Sequence, residues 1–177
     1  MSPDIFLEFN GGNLRPLKPK DVHDGYITGL NDGQVNRYLE VRHVMQTEQS
    51  VIKFVRDNQQ AKDSVLFGIW LNGHQYHCGT IRLHHIEYNK RKAHIGLCIF
   101  EKSVWGFGLG SQAIQSVTKW AMNDLEFRWI EAGIYEVNIA SQKAFLKAGY
   151  KWIADIPGKY ALDGNPIITK IYASCKV

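Results

Sequence analysis

No stretch of this 177-residue chain reaches 18 consecutive apolar residues, so no membrane-spanning helix is expected. The opening MSPDIFLEFNGG has acidic residues and no basic region ahead of an apolar segment, which argues against a secretory signal, and a cytoplasmic protein is the expectation. Cysteine is scarce. Cys78, Cys98 and Cys175 are odd in number, far apart and without C-x-x-C spacing, and they read as reduced thiols rather than as a disulfide framework or a metal site. Nothing resembles a linker, a repeat or a low-complexity tract. Charge of one sign is also limited: 21 Lys and Arg against 17 Asp and Glu leave a formal +4, and the basic residues are scattered. The densest group, YNKRKAH at 88–94, reads as a solvated loop between strands. Without a basic stripe interleaved with aromatics, nucleic-acid binding is not expected. What remains is one domain over residues 1–177 with a single substantial core.

Periodicity sketches its elements. NLRPLK at 13–18 alternates like a short strand, and Pro19 followed by KDVHDGYITGLND predicts a helix from about Lys20 to Gly33. Thr47 opens a second helix, with Ser50 three residues on, running to about Gln60 with Val51, Ile52, Phe54 and Val55 on one face. Three strands follow at 65–71, 76–86 and 93–100, the first two joined through Asn72-Gly73, a strong hairpin signal. Leu109, Ala113, Ile114, Val117, Trp120, Ala121 and Leu125 recur at helical spacing. Beyond them come a strand at 128–135, a helix at 141–148 closed by Gly149, a short strand from Tyr150 and a last strand at 166–174. The layout is α+β, a mixed and mostly antiparallel sheet of six to seven strands flanked by about four helices.

Chemistry concentrates in VWGFGLGSQAIQ at 104–115. Gly106, Gly108 and Gly110 follow a strand and open a helix, so their amides, with those of Phe107, Leu109 and Ser111, face one concavity at the positive end of the helix dipole. A diphosphate fits such a seat, although a tight helix–strand turn would use the same glycines. A P-loop would need a Gly-Lys-Ser/Thr ending, and a dinucleotide fingerprint would follow the first strand of a βαβ unit; neither condition is met.

From about Leu14 to Tyr172 the chain resembles the GNAT superfamily of acyl-CoA-dependent N-acyltransferases, in the branch that holds ribosomal-protein N-terminal and small-amine acetyltransferases. HIGLCIFEKSVWGFGLGSQAI is similar to that family's fourth strand, pyrophosphate loop and following helix. IEAGIYEVNIASQKAFLKAGY is similar to its fifth strand and its N-x-x-S-x-x-x-x-x-K-x-G-[FY] segment, here Asn138, Ser141, Lys147, Gly149 and Tyr150. The resemblance implies acetyl-CoA as cosubstrate and no metal. The loop from Trp105 to Ser111 would hold the cofactor's diphosphate, strand backbone near Ile99 and Phe100 would pair with its pantetheine arm, and Asn138, Ser141 and Lys147 would add contacts. It further implies direct attack of a neutral amine on the thioester, which needs alignment and a hydrogen-bonded oxyanion.

The acid and base are less well marked. Many members of the family carry Tyr where this chain has Phe145, which has no proton to give the leaving thiolate, so either Tyr135 or water donates, or the thiolate departs unassisted. Close relatives often carry Glu at the position of His94, whose unperturbed pKa near ~6.5 suits a base acting through water. Glu101 and Glu136 are the other candidates. On the acceptor side, Tyr38, Arg42 and His43 form a polar, cationic group, and Arg82 and His84 project from one sheet face because they are two residues apart. Cations there would favour an acidic or phosphorylated acceptor, such as an amino sugar or a nucleotide-linked amino sugar. A protein N-terminus is the alternative acceptor, and an acyl-CoA sensor without turnover the alternative to an enzyme. Exposed sheet edges would permit a homodimer.

Overall fold

The computed structural model describes residues 5–176, except the side chain of Lys159. One sheet of eight strands organises them, in the order β1-β2-β3-β4-β5-β6-β8-β7. In chain order the elements are β1 (Leu7–Phe9), β2 (Gly12–Pro16), α1 (Asp24–Asn31), α2 (Gly33–Asn36), α3 (Glu48–Gln60), β3 (Val65–Leu71), β4 (Gly79–Glu87), β5 (Lys92–Ile99), α4 (Leu109–Asn123), β6 (Trp129–Tyr135), α5 (Ile139–Lys147), β7 (Lys151–Leu162) and β8 (Asn165–Cys175). Every pairing is antiparallel except β5 with β6. The expected α+β class therefore holds with one strand more than the six to seven foreseen. The extra strand is β1, whose three residues are too few to show alternation.

The expected single helix at 20–33 is in fact broken. Asp32 is extended at φ −75°, ψ 121°, and its carboxylate accepts from the Gln34 and Val35 amides at 2.8 and 3.3 Å. A side chain that satisfies the next helix's first donors ends α1 and starts α2. The second helix matches its expected span, with Thr47 and Ser50 exchanging bonds at its start as a capping box.

Two apolar layers sandwich the sheet. On one face α4 and α5 cover the buried Ile81, Leu83, Ile95, Ile130 and Ile134, into which Ile114, Val117 and Phe145 pack. On the other face α1 and α3 cover Leu66, Trp70 and Phe100 with Tyr26, Val51 and Val55. Each fully buried aliphatic or aromatic side chain contributes about 1.5–3 kcal/mol, so both layers are needed to hold the sheet flat between helices. The second layer stops short of the β5–β6 junction, and that gap positions the site.

Candidate functional site

Strands β5 and β6 are paired at only three positions, Lys92 with Trp129, Ala93 with Ile130 and His94 with Glu131. Past His94 they part, which leaves the β6-facing side of β5 without a strand partner. The Phe100 and Glu101 amides both donate to the Cys78 carbonyl at 3.1 Å, so Phe100 faces β4. Because successive residues of a strand alternate in direction, Leu97 and Ile99 are the residues whose amide and carbonyl point into the fork. This supports Ile99 as a pairing group and corrects the expectation for Phe100, whose ring is also buried against Tyr26 at 4.9 Å. The Trp105 indole nitrogen donates to the Ile99 carbonyl at 2.9 Å and so ties the following loop to the fork.

That loop behaves as a donor cradle. Gly106 and Gly108 have φ of +84° and +79°, a region that side chains other than glycine's enter with strain. Among the described residues, no backbone amide from Gly106 to Ser111 has an acceptor within the chain. Leu109, Gly110 and Ser111 are the first three residues of α4, where helix geometry leaves donors unsatisfied. A Cβ on Gly108 would stand 3.3 Å from the Lys147 ammonium, so Lys147, at the end of α5, brings a cation to the same turn. Gly110 differs from the other two. It is helical and buried, and a Cβ there would meet Leu97 Cδ2 at 3.0 Å, so its smallness serves the packing of α4 on β5. Ser111 is buried with its hydroxyl donating to the Gly108 carbonyl at 2.8 Å, which closes the turn, while Phe107 is 79% exposed at the loop's rim.

At the far side of the fork Asn138 caps α5, its side-chain oxygen accepting from the Ser141 amide at 3.2 Å. Asn138 thus satisfies one of the first free amides of α5. Phe145 is 2% exposed and packs edge-on against Tyr150, so no phenol stands where relatives carry one. Tyr135 is buried between Tyr38 and Tyr160, with ring centroids 6.4 and 5.8 Å away. Two carboxylates are occupied structurally. Glu101 accepts from the Ser103 hydroxyl at 2.7 Å and amide at 3.1 Å, bonds that lower its pKa and weaken it as a base. Glu136 accepts from the Ile168 amide at 3.3 Å and so extends the β6–β8 ladder.

His94 is placed differently. It sits at the last paired position before the fork, and its Nε2 lies 3.3 Å from Glu131 Oε1. The other oxygen of Glu131 accepts from the Trp129 indole at 2.8 Å. A carboxylate fixed at Nε2 sets the tautomer and direction of the imidazole. Sequence reasoning missed Glu131 and Trp129, although the alternation of β6 places both on one face.

The foreseen acceptor residues divide. Arg82 and His84 share the open sheet face with His94, as their spacing requires, and His84 lies 5.7 Å from His94 between ring centroids. Tyr38 reaches the fork's end, its hydroxyl donating to the Val137 carbonyl at 3.4 Å. Arg42 does not present a free guanidinium: it donates to the Leu39 carbonyl at 3.0 Å and to the Ala161 carbonyl at 2.7 Å, clamping the 40–43 turn to β7. His43 is exposed on that turn.

A family model for the acetyltransferase (GNAT) domain matches residues 13–151. The chain belongs to the GNAT family. It is an acetyl-CoA-dependent N-acetyltransferase of that family. It is 27% identical over 165 residues to an uncharacterized N-acetyltransferase, YoaA, of Bacillus subtilis (strain 168), with 92% of each chain covered. A GNAT-family acetyltransferase from Bacillus anthracis superposes with a TM-score of 0.83 at 21% identity, over 97% of this chain and 98% of that one. RimL, a ribosomal-protein alpha-N-acetyltransferase solved with coenzyme A, gives 0.86 at 16% identity over 97% and 98%. A spermidine N-acetyltransferase from Vibrio cholerae, solved with CoA and spermine, gives 0.83 at 14% identity over 94% and 96%. At these identities the structural likeness concerns the GNAT fold. Among the described residues, no helix is long and apolar enough to cross a membrane.

Proposed function

We propose that acetyl transfer takes place in the β5–β6 fork, with the diphosphate of acetyl-CoA on the amides from Gly106 to Ser111 and with Lys147 beside it. The unpartnered amides and the cation suit that anion: backbone donors at a helix start bind phosphate at little reorganisation cost, and the helix dipole adds ~0.3–1 kcal/mol per charge. The pantetheine arm would run along Leu97 and Ile99, whose backbone groups supply the strand pairing that β6 withdraws, with Asn138 at the other lip.

His94 is the general base, acting through water on the acceptor amine, and Glu131 with Trp129 holds its ring. This arrangement of a base oriented by a third group is the observation that carries the reading. Phe145 offers no proton to the leaving thiolate, so Tyr135, packed among tyrosines, or water protonates it, or it leaves unassisted.

The acceptor is a small primary amine that bears an acidic or phosphate group, of the amino-sugar or nucleotide-linked amino-sugar kind. Arg82, His84 and His94 share one sheet face beside the fork, where Glu131 is already engaged by His94 and Trp129. A polyamine would meet the Arg82 guanidinium there, with Glu131 already engaged. The test is thiol release from acetyl-CoA across amino sugars, their nucleotide-linked forms, polyamines and short peptides beginning with Ser or Ala. Turnover of the anionic amines ahead of the rest is the expected result; preference for peptides would assign the fork to protein N-termini instead.

A further inference from the structure

A buried relay of side chains ends on Arg82. Asn58 and Ser64 are 6% and 5% exposed. Asn58 Nδ2 donates to the Phe54 carbonyl at 2.8 Å, its Oδ1 accepts from the Ser64 hydroxyl at 2.7 Å, and Ser64 Oγ accepts from Arg82 Nε at 2.8 Å. The guanidinium also lies 5.6 Å from the Phe54 ring. Two buried polar residues thus fix the direction of an arginine through one edge of its fork. Its terminal nitrogens form no hydrogen bond or ion pair among the described residues, and the neighbouring Asp63 acts on it only at longer range. Burying polar groups is justified energetically only when they are paired, and here the pairing leaves a cation half-buried and oriented without a carboxylate to meet.

The strand opposite supplies room. Arg82 pairs across the sheet with Gly96, and the nearest atom to the Cβ that Gly96 lacks is His84 Nε2 at 3.9 Å. Any larger residue would fill the floor between Arg82, His84 and His94. His84 is itself half-buried, and His85, next to it, holds a positive φ of 48° with its Nδ1 2.6 Å from His84 Nδ1, so the two rings share one proton contact. Backbone strain of this kind costs about 1–3 kcal/mol and persists where surrounding structure enforces it.

We propose that Arg82, oriented by Ser64 and Asn58, and His84 form an oxyanion-binding subsite over Gly96 that takes the phosphate or carboxylate of the acceptor. The inference rests on the acetyl-transfer reading of the fork and adds the place where the acceptor's anion is held. The two terminal nitrogens of Arg82 match two oxygens of such a group, and His84 adds a donor once protonated. Burial, then Arg82, His85 and His94, press the pKa of His84 down to about 4, against a small opposing effect of Asp63. Of the other charges on this face, Glu131 is bound to His94 and Lys92 to Glu87. A bound anion opposes that cationic surround and favours the protonated form of His84, raising its pKa.

The experiment uses protein saturated with CoA, so that the glycine loop is already filled, and follows the histidine ring resonances by NMR as inorganic phosphate, acetate or chloride is added at equal ionic strength. Phosphate and acetate are expected to raise the His84 pKa by about one unit, a tenfold change in proton affinity, while chloride leaves it in place. Arg82→Gln is expected to abolish the shift, Ser64→Ala to weaken apparent anion affinity several-fold, and Ser64→Thr, which keeps the hydroxyl, to restore it. An unshifted His84 in the wild type, or a shift that survives Arg82→Gln, overturns the subsite. Thiol release with ethanolamine and phosphoethanolamine separates the two levels: turnover of phosphorylated amines without the His84 shift overturns the subsite and leaves the proposed reaction standing. Phosphate binding with no turnover of any anionic amine upholds the subsite and overturns the proposed acceptor class.

Discussion

At the scale of single residues, the account turns on which histidines are held neutral and which are held ready. His94 is oriented by Glu131, and Glu131 by Trp129, so Glu131→Gln is expected to lower kcat by about tenfold, less than the ~10²–10⁴-fold of losing a general base outright, with little change in the KM for acetyl-CoA. Steady-state kinetics at fixed pH checks this. His77 plays the opposite part. It is 2% exposed among Tyr26, Trp70, His23 and Phe100, neither ring nitrogen has a hydrogen-bond partner among the described residues, and burial, with His23 and Arg15 nearby, lowers its pKa from 6.5 to about 3. Between those values the unfolded chain binds a proton that the folded chain refuses, so stability rises with pH there by at most about 1.4 kcal/mol per unit and falls as the solution is acidified below 6.5. His77→Phe should flatten this acid limb, as read from urea unfolding at pH 4.5 and 7. His94 was legible from its place before Gly96, whereas Glu131 was not, because the partnership depends on a parallel register between strands distant in sequence. His77 gave no signal, since one histidine near the start of the expected 76–86 strand does not show that packing will bury it.

At the scale of elements, turns and caps decide where chemistry sits. Gly108 has a positive φ and faces Lys147, so Gly108→Glu is expected to abolish CoA binding in calorimetry while the far-ultraviolet circular dichroism stays near that of the wild type. Gly110→Ala meets the flexible end of Leu97 and is expected to be far milder for binding, which separates the cradle glycine from the packing glycine. Asn138→Ala removes the cap of α5 and should cost about 0.5–2 kcal/mol in thermal or denaturant unfolding, besides whatever contact Asn138 makes with the cofactor. The meander from Val65 to Ile99, α3 and α4 were readable because their periodicities are long and their caps clear. The long β7–β8 hairpin was also written in the sequence, in Asp163-Gly164, whose φ values of 51° and 80° form a two-residue turn of the kind this dipeptide favours. Bulges in β7 interrupt its alternation, and so the strand looks shorter than its twelve residues.

At the scale of the whole molecule, function follows from an incomplete sheet. A parallel pair of three positions set in an otherwise antiparallel order opens a fork between β5 and β6, beside which the proposed diphosphate loop and acceptor face would lie. The sequence carried the family resemblance through two motifs on either side of that fork, but the splay itself and the gap left by Gly96 arise from pairing and could not be read from either motif alone. The direct test compares thiol release by wild type and His94→Gln with an accepted amine, together with calorimetric CoA affinity in the same preparations. The account predicts a fall in kcat of about a hundredfold or more with CoA affinity unchanged. A variant that keeps turnover close to the wild-type rate would contradict it.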